Sequence, residues 1–497
     1  MLIALLWGSH VQPSLQYILP QSVFTSPELP VDGENTLKEE EFNEPVAFAA
    51  NVPEYFSQYA DDTVVRVFLD SREEKGVLMN ELSGYNLDVW KDEGDEIDVR
   101  IHRDGLPRLE REGWKFTVVI SNVTETLLRS VSHEHEREHE REHEREHEHE
   151  HFHNGADNDN SDDADPAFTP SPFSSYDRFF SDYQRLESFN TWMRLQASLF
   201  PDLSELFSLG TSSEGRTIMA LRLHGHRSRQ IPVNEKRPAI VVFAGVHARE
   251  WIANPTVVYA AQRLMSSYDS DPQSRRLLDS FDWIFVPVVN VDGYEYTWTN
   301  DRLWRKNRQS FNYSSCVGID LDHNFDFAFD YSKRARNPCS EMYQGKYAFE
   351  APEAAALAKL LSETLPNSGY YTAGLIDVHS YSQSVLWPYA SSCDIVPRDE
   401  ENFEELAIGM VKELHSVHHH VYMYGQACTS AGIYSEFEET GTALDWSYEL
   451  AGVKWPYVVK LRDTGNYGFL LPAHHIIPTA EEFYAMLRYY GDFISQF

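Results

Sequence analysis

Four nearly unbroken apolar runs constrain this chain most: "AIVVFAG" from Ala239, "WIFVPVVNV" from Trp283, "AGLIDVHS" from Ala373 and "YVVKL" from Tyr457. Helical stretches such as "PTVVYAAQRLMSSY", "PEAAALAKLLSETL" and "EEFYAMLRYYGDFI" alternate with them. A strand with one wet face alternates apolar and polar residues, so unbroken runs imply burial on both faces. The expected fold is therefore α/β, a largely parallel sheet covered by helices on either side. Ligand sites of such sheets gather at the carboxyl ends of the strands. This unit is expected over 176–497.

With 497 residues, of which 42% are hydrophobic and 13% aromatic, the chain is long enough for at least two units. Ahead of the large unit, residues 50–130 read as β-α-β-α-β: "TVVRVFLD", "SREEKGVLMNELSGY", "IDVRIH", "RDGLPRLEREG" and "KFTVVISNV". That order fits a small open α/β sandwich with its helices on one face. Residues 131–175 form a linker dominated by "HEHEREHEREHEREHEHEHFHN", which has almost no apolar side chains to bury. A histidine tract can collect metal ions; a repeat expansion in a tolerant spacer is the plainer reading. Its arginines Arg137, Arg141 and Arg145, with Arg129 just before it, are trypsin-type sites.

Residues 21–49 are a flexible acidic lead-in. Residues 1–20 are a possible signal segment, with a short apolar core but no basic residues before it. No later stretch reaches the ~18 apolar residues needed to span a bilayer. The formal net charge of -36 argues against nucleic acid and anionic membrane as partners, since both demand basic surfaces. Cys316, Cys339, Cys393 and Cys428 lack zinc-finger spacing, so two disulfides are the better expectation. "NVT" at Asn122 and "NYS" at Asn312 are glycan acceptors if the chain enters the secretory pathway.

"FAGVHARE" sets His247 and Glu250 three residues apart after an apolar strand, with Asn254 and Pro255 positioned to cap the next helix. "LIDVHSYSQ" supplies His379 at another strand end. Two histidines and a carboxylate are the donor set of hydrolytic zinc sites, which leave a fourth position for water.

"GVHAREWIANP", "NVDGYEYTWTNDRLWRKNR", "IDVHSYSQSVLWPY" and "ALDWSYELAGVKWPYVVKLRDTGNYGFLLPAHHIIPTA" resemble, in order and spacing, the zinc metallocarboxypeptidases of the pancreatic A/B type. Residues 50–128 are similar to that family's activation propeptide. The resemblance implies a mixed eight-stranded sheet with helices on both faces and one Zn2+ per chain on His247, Glu250 and His379. It further implies substrate positions at Arg249, Arg305, Asp322, His323, Ser380 and Tyr381, and disulfides Cys316–Cys339 and Cys393–Cys428.

Departures from the family pattern bear on function. Lys460 stands where active members have a glutamate that takes a proton from the attacking water and passes it to the leaving amine. Lysine has three donors and no acceptor in its usual form, with a reference pKa of ~10.4. Asp322 and His323, in "IDLDHNFD", replace an Asn-Arg pair that holds the peptide carboxylate, putting an acid where a cation is needed. The mobile tyrosine's place falls on Phe437 or Tyr434, and the specificity position on Leu444, which offers no charge to a basic side chain.

Intact ligands beside a lost proton acceptor imply a catalytically inactive homologue. The resemblance extends to fungal inactive metallocarboxypeptidase-like proteins linked to cell-wall organisation. It implies a secreted or vacuolar monomer that meets a protein, peptide or cell-wall ligand. The alternatives are an active metallohydrolase with altered substrate and mechanism, and a metal-sequestering protein working through its His-Glu tract.

Overall fold

A computed structural model describes residues 54–85, 87–93, 95–130, 179–226, 236–329, 337–362, 369–430 and 440–497. The signal segment, the lead-in, the His-Glu linker with its three arginines, and Tyr434 and Phe437 lie outside the described residues.

The large sheet has eight strands: β5 Ser204–Thr211, β6 Thr217–Leu223, β7 Arg237–Ala244, β8 Asp282–Val286, β9 Tyr370–Ser380, β10 Ser384–Trp387, β11 Met423–Gln426 and β12 Trp455–Leu461. Their order is β11-β10-β12-β9-β7-β8-β6-β5. The four apolar runs are β12, β9, β7 and β8, which are mutually parallel at the centre. Strands β5, β6, β10 and β11 flank them, with antiparallel pairing at β5–β6, β6–β8 and β10–β12. Lying towards the edges, they lacked the unbroken apolar pattern, or the length, that marks the centre. Long helices Ala253–Ser266 and Ile476–Ile494 pack their buried faces into the same core. No helix of the described residues is long and apolar enough to cross a membrane.

Asn254 does not cap its helix. The cap position is Ile252, and Asn254 lies inside the first turn, where its Nδ2 donates to Pro287 O at 2.8 Å. Gly245, with φ of 66°, permits this approach, because a Cβ there would lie 2.5 Å from Asn254 Nδ2. The glycine ends β7 and leads directly into the loop carrying His247.

The N-terminal layer contains four strands rather than three: β1 Asp62–Phe68, β2 Asp88–Glu93, β3 Glu96–His102 and β4 Lys115–Ile120, ordered β2-β3-β1-β4 and antiparallel. Helices α1 Arg72–Leu82 and α2 Leu106–Glu112 cover one face through Leu78, Leu82 and Leu109, against Val65, Val67 and Val99. The missed strand, β2, reads "DVWKDE", too polar to signal a strand. Its chemistry is explained by what it faces. Trp90, with Val64 and Ile120, packs on Leu303, Tyr381, Phe469 and Leu470 of the large unit, and the described residues of both belong to one compact body.

Candidate metal centre and its covering layer

His247 and Glu250 lie in the turn after β7, and His379 near the end of β9, the neighbouring parallel strand. All three are buried. His247 Nδ1 is 2.8 Å from Glu250 Oε1, and His379 Nδ1 is 3.0 Å from Glu250 Oε2. The backbone N–H of Ser380 also donates to Oε2. One donor atom from each of the three side chains falls within a span of 4.8 Å.

Each imidazole has a carboxylate behind it. His247 Nε2 is 3.0 Å from Asp320 Oδ1, and His379 Nε2 is 2.9 Å from Asp377 Oδ1. A proton held on Nε2 leaves the Nδ1 lone pair directed at the centre, the usual support of a metal-bound histidine. Burial alone would raise the Glu250 carboxyl, but the two imidazoles hold it well below its usual range. Burial likewise opposes ionisation of Asp320, yet Arg305 and His247 keep it low. Burial pushes Asp377 up to about 6 despite His379, with the nearby Asp322 charge adding to the rise. Two imidazole nitrogens and a carboxylate, convergent and buried, fit zinc.

Asp320 and Asp377 were not singled out from the sequence. An acid inside an otherwise apolar run, as in "LIDVHS", is the signal that could have found Asp377, because a buried charge requires a partner.

Lys460 is aligned with His379 across the parallel β12–β9 pair, but its ammonium donates to Glu93 Oε1 of β2 at 2.8 Å. Ser382 Oγ donates to the same oxygen. Arg249, between His247 and Glu250, is also taken by the N-terminal layer: Nη1 lies 3.1 and 3.0 Å from the two oxygens of Asp88, and Nη2 donates to Val89 O. Arg305 makes two hydrogen bonds to Asp320 Oδ2. The Tyr381 hydroxyl donates to Asp98 at 2.9 Å, and Arg66 reaches Thr464 O. No sequence signal pointed to Asp88, Glu93 or Asp98 as partners, because their role depends on one unit meeting the other.

These contacts enclose a cavity of about 670 Å³ between β2 and the metal centre. Each lysine and arginine on its wall meets a carboxylate: Lys75 with Asp92, Lys91 with Glu96, Arg249 with Asp88, Arg305 with Asp320, and Lys460 with Glu93. Asp322 and Glu341 also line it, and burial pushes the Glu341 carboxyl above its ordinary value. His323 lines it too, with Nδ1 2.8 Å from Thr440 O. Leu444 is buried with Leu386, Ala390 and Ala427 in an apolar floor. Both disulfides form, Cys316–Cys339 and Cys393–Cys428. Asn312 is exposed, whereas Asn122 is half-buried and accepts a helix-capping bond from Glu125 N.

Paired imidazoles and a carboxylate at adjoining parallel strand ends, under a small α/β layer, define a metallocarboxypeptidase-type protein. The zinc carboxypeptidase family model matches residues 189–486, more than half of the chain, and the chain belongs to that family. It is 44% identical to the inactive metallocarboxypeptidase ecm14 of Schizosaccharomyces pombe, over 91% of this chain and 87% of that one. The protein of the same name from Sclerotinia sclerotiorum is 36% identical, over 88% and 74% respectively. Among solved structures, thrombin activatable fibrinolysis inhibitor superposes with a TM-score of 0.70 at 25% identity, over 88% of this chain and 99% of that one. That share exceeds what residues 179–497 alone supply, so the likeness includes the N-terminal layer.

Proposed function

We propose that this chain is a catalytically inactive, zinc-binding carboxypeptidase homologue that acts through binding or a structural role. The observation that carries the reading is Lys460. It occupies the position at which the family resemblance expects the proton-transferring glutamate, and its ammonium donates to Glu93 at 2.8 Å. An ammonium offers protons and no lone pair, so this side chain takes no proton from an attacking water.

His247, Glu250 and His379 would hold one Zn2+ per chain. A zinc ion in such a site supplies Lewis-acid polarisation of an oxygen. Asp320 orients the His247 imidazole through a hydrogen bond, and Asp377 faces His379 Nε2 as a charge partner. Arg249, engaged by Asp88, and Arg305, engaged by Asp320, are both committed to internal ion pairs. Asp322 repels the carboxylate of a peptide C terminus, and His323 bonds to the backbone instead of clamping it. Ser380 supports Glu250, and Tyr381 is tied to Asp98.

Residues 50–130 form a propeptide-like domain that stays seated on the 176–497 unit. The printed name of the S. pombe relative, an inactive metallocarboxypeptidase, supports inactivity. A role in fungal cell-wall organisation and biogenesis rests on the resemblance to such proteins. Two disulfides favour the secretory pathway, with a secreted or vacuolar destination, and Asn312 is the better exposed glycan acceptor. The partner class is a protein, peptide or cell-wall ligand met by a monomer.

The test is zinc content together with release of C-terminal residues from aromatic, aliphatic and basic peptides. Wild type and a Lys460→Glu, Asp322→Asn, His323→Arg variant are assayed before and after tryptic release of the N-terminal layer. One zinc and no turnover are expected of the wild type, with turnover gained by the cleaved variant. Hydrolysis by the zinc-loaded wild type would overturn the reading and favour an active metallohydrolase.

A further inference from the structure

We propose that the chamber under β2 binds a ligand carrying a primary ammonium group on a short apolar body, with the ammonium held by Asp322. The inference deepens the reading above by naming a ligand class. It rests on Asp322 standing where a carboxylate clamp would be, and it does not depend on whether peptides are hydrolysed.

Three features of the chamber converge on this chemistry. Its volume of about 670 Å³ is in the range of small-molecule sites, ~300–1,000 Å³. Its floor is apolar, with Leu386, Ala390, Ala427 and Leu444 packed together and Val458 beside them. The turn bearing Asp322 is stitched to the edge of that floor. Phe325 N donates to Gly441 O at 2.8 Å, and a Cβ on Gly441 would lie 2.5 Å from His323 O. Three residues beyond Gly441, Leu444 sits in the first turn of the helix Ala443–Glu449.

Charge then selects the ligand. The lysines and arginines of the wall are matched by carboxylates, whereas among the described residues Asp322 and Glu341 have no ion-pair partner. The Asp322 carboxylate is within 4.8 Å of the Asp377 carboxylate and the His379 ring, so a second acid adds its field to the same spot. A free carboxylate entering here meets like charge, while an ammonium meets opposite charge in a partly desolvated setting, where attraction is strengthened. Asp322, Glu341 and Val458 are only half-buried, which gives the chamber a mouth.

Calorimetric titration of the full, zinc-loaded chain with 2-phenylethylamine and with 3-phenylpropionate tests this. The amine is expected to bind at least tenfold tighter than the acid, and Asp322→Asn to cost the amine about tenfold in affinity while the variant keeps the wild-type melting temperature. Equal or better binding of the acid, or an unchanged amine affinity in Asp322→Asn, would overturn the proposal. Asp322-dependent uptake of a second Zn2+ without amine binding would also overturn it, by assigning the acids to a metal. A peptidase assay on the same sample separates the two readings: turnover with intact amine binding sinks only the non-catalytic one.

Discussion

Two neighbouring strands, β9 and β12, bring opposite chemistry to the centre. On β9, His379 turns Nδ1 to Glu250 and has a carboxylate near its other nitrogen. On β12, the residue in register with it is Lys460, which looks away to Glu93. A parallel ladder fixes where strand-end side chains start, not what they are. One exchange can therefore remove proton transfer without disturbing the ligand geometry. The N-terminal layer completes the contrast, since β2 supplies a carboxylate to Lys460 and another to Arg249, while all three proposed zinc ligands come from the large unit.

The largest effect expected from breaking this contrast is on the ligand half. At ~1,000 times Kd, a bound metal adds about 4 kcal/mol to folding stability, so chelation should lower the melting midpoint by roughly 5–10 °C. His247→Ala should abolish the zinc otherwise found by elemental analysis. An unchanged midpoint with no zinc detected would show that the intact half is not a metal site.

Next is the other half. Glu93→Lys sets two ammonium groups against each other and should cost about 2 kcal/mol in urea unfolding, in line with an uncompensated, partly buried charge. Adding Lys460→Glu restores an opposite pair, so the double variant should regain much of the loss. Strict additivity would mean that the pair does not couple the layers. Tyr381→Phe, which removes a buried hydroxyl donor from Asp98, should cost about 1 kcal/mol by the same measurement.

The most graded effect is on pH. Burial would raise the Asp88 carboxyl, but Arg249 and Arg100 hold it below its usual value. A depressed folded pKa means that the unfolded chain binds the proton first. The contribution of Asp88 is thus fully present above the unfolded value of ~3.9 and is lost as pH falls through the folded one. Melting curves from pH 5 to 2 should fall less steeply for Asp88→Asn than for wild type; parallel curves would remove Asp88 from the acid response.

The central sheet was legible because unbroken apolar runs are a local signature, and the side chains the structure brings together at the centre, His247, Glu250 and His379, were picked out by histidines at strand ends. Strand β2 left none. Asp88 and Glu93 suit a solvated loop until the surface they meet is known, and their partners Arg249 and Lys460 lie 161 and 367 residues away in the chain. For the same reason the family resemblance marked Lys460 as a departure but not where its charge would go. Asn254 misled for a smaller reason, because a residue suited to capping lies two positions inside the helix start, bonded to a backbone carbonyl that only the fold brings near.

A zinc-edge anomalous difference map of crystals of the full chain tests the central claim most directly. The account predicts one peak between His247 Nδ1, His379 Nδ1 and the Glu250 carboxylate, with Lys460 still on Glu93. The absence of that peak, or Lys460 turned from Glu93 toward the metal, would contradict it.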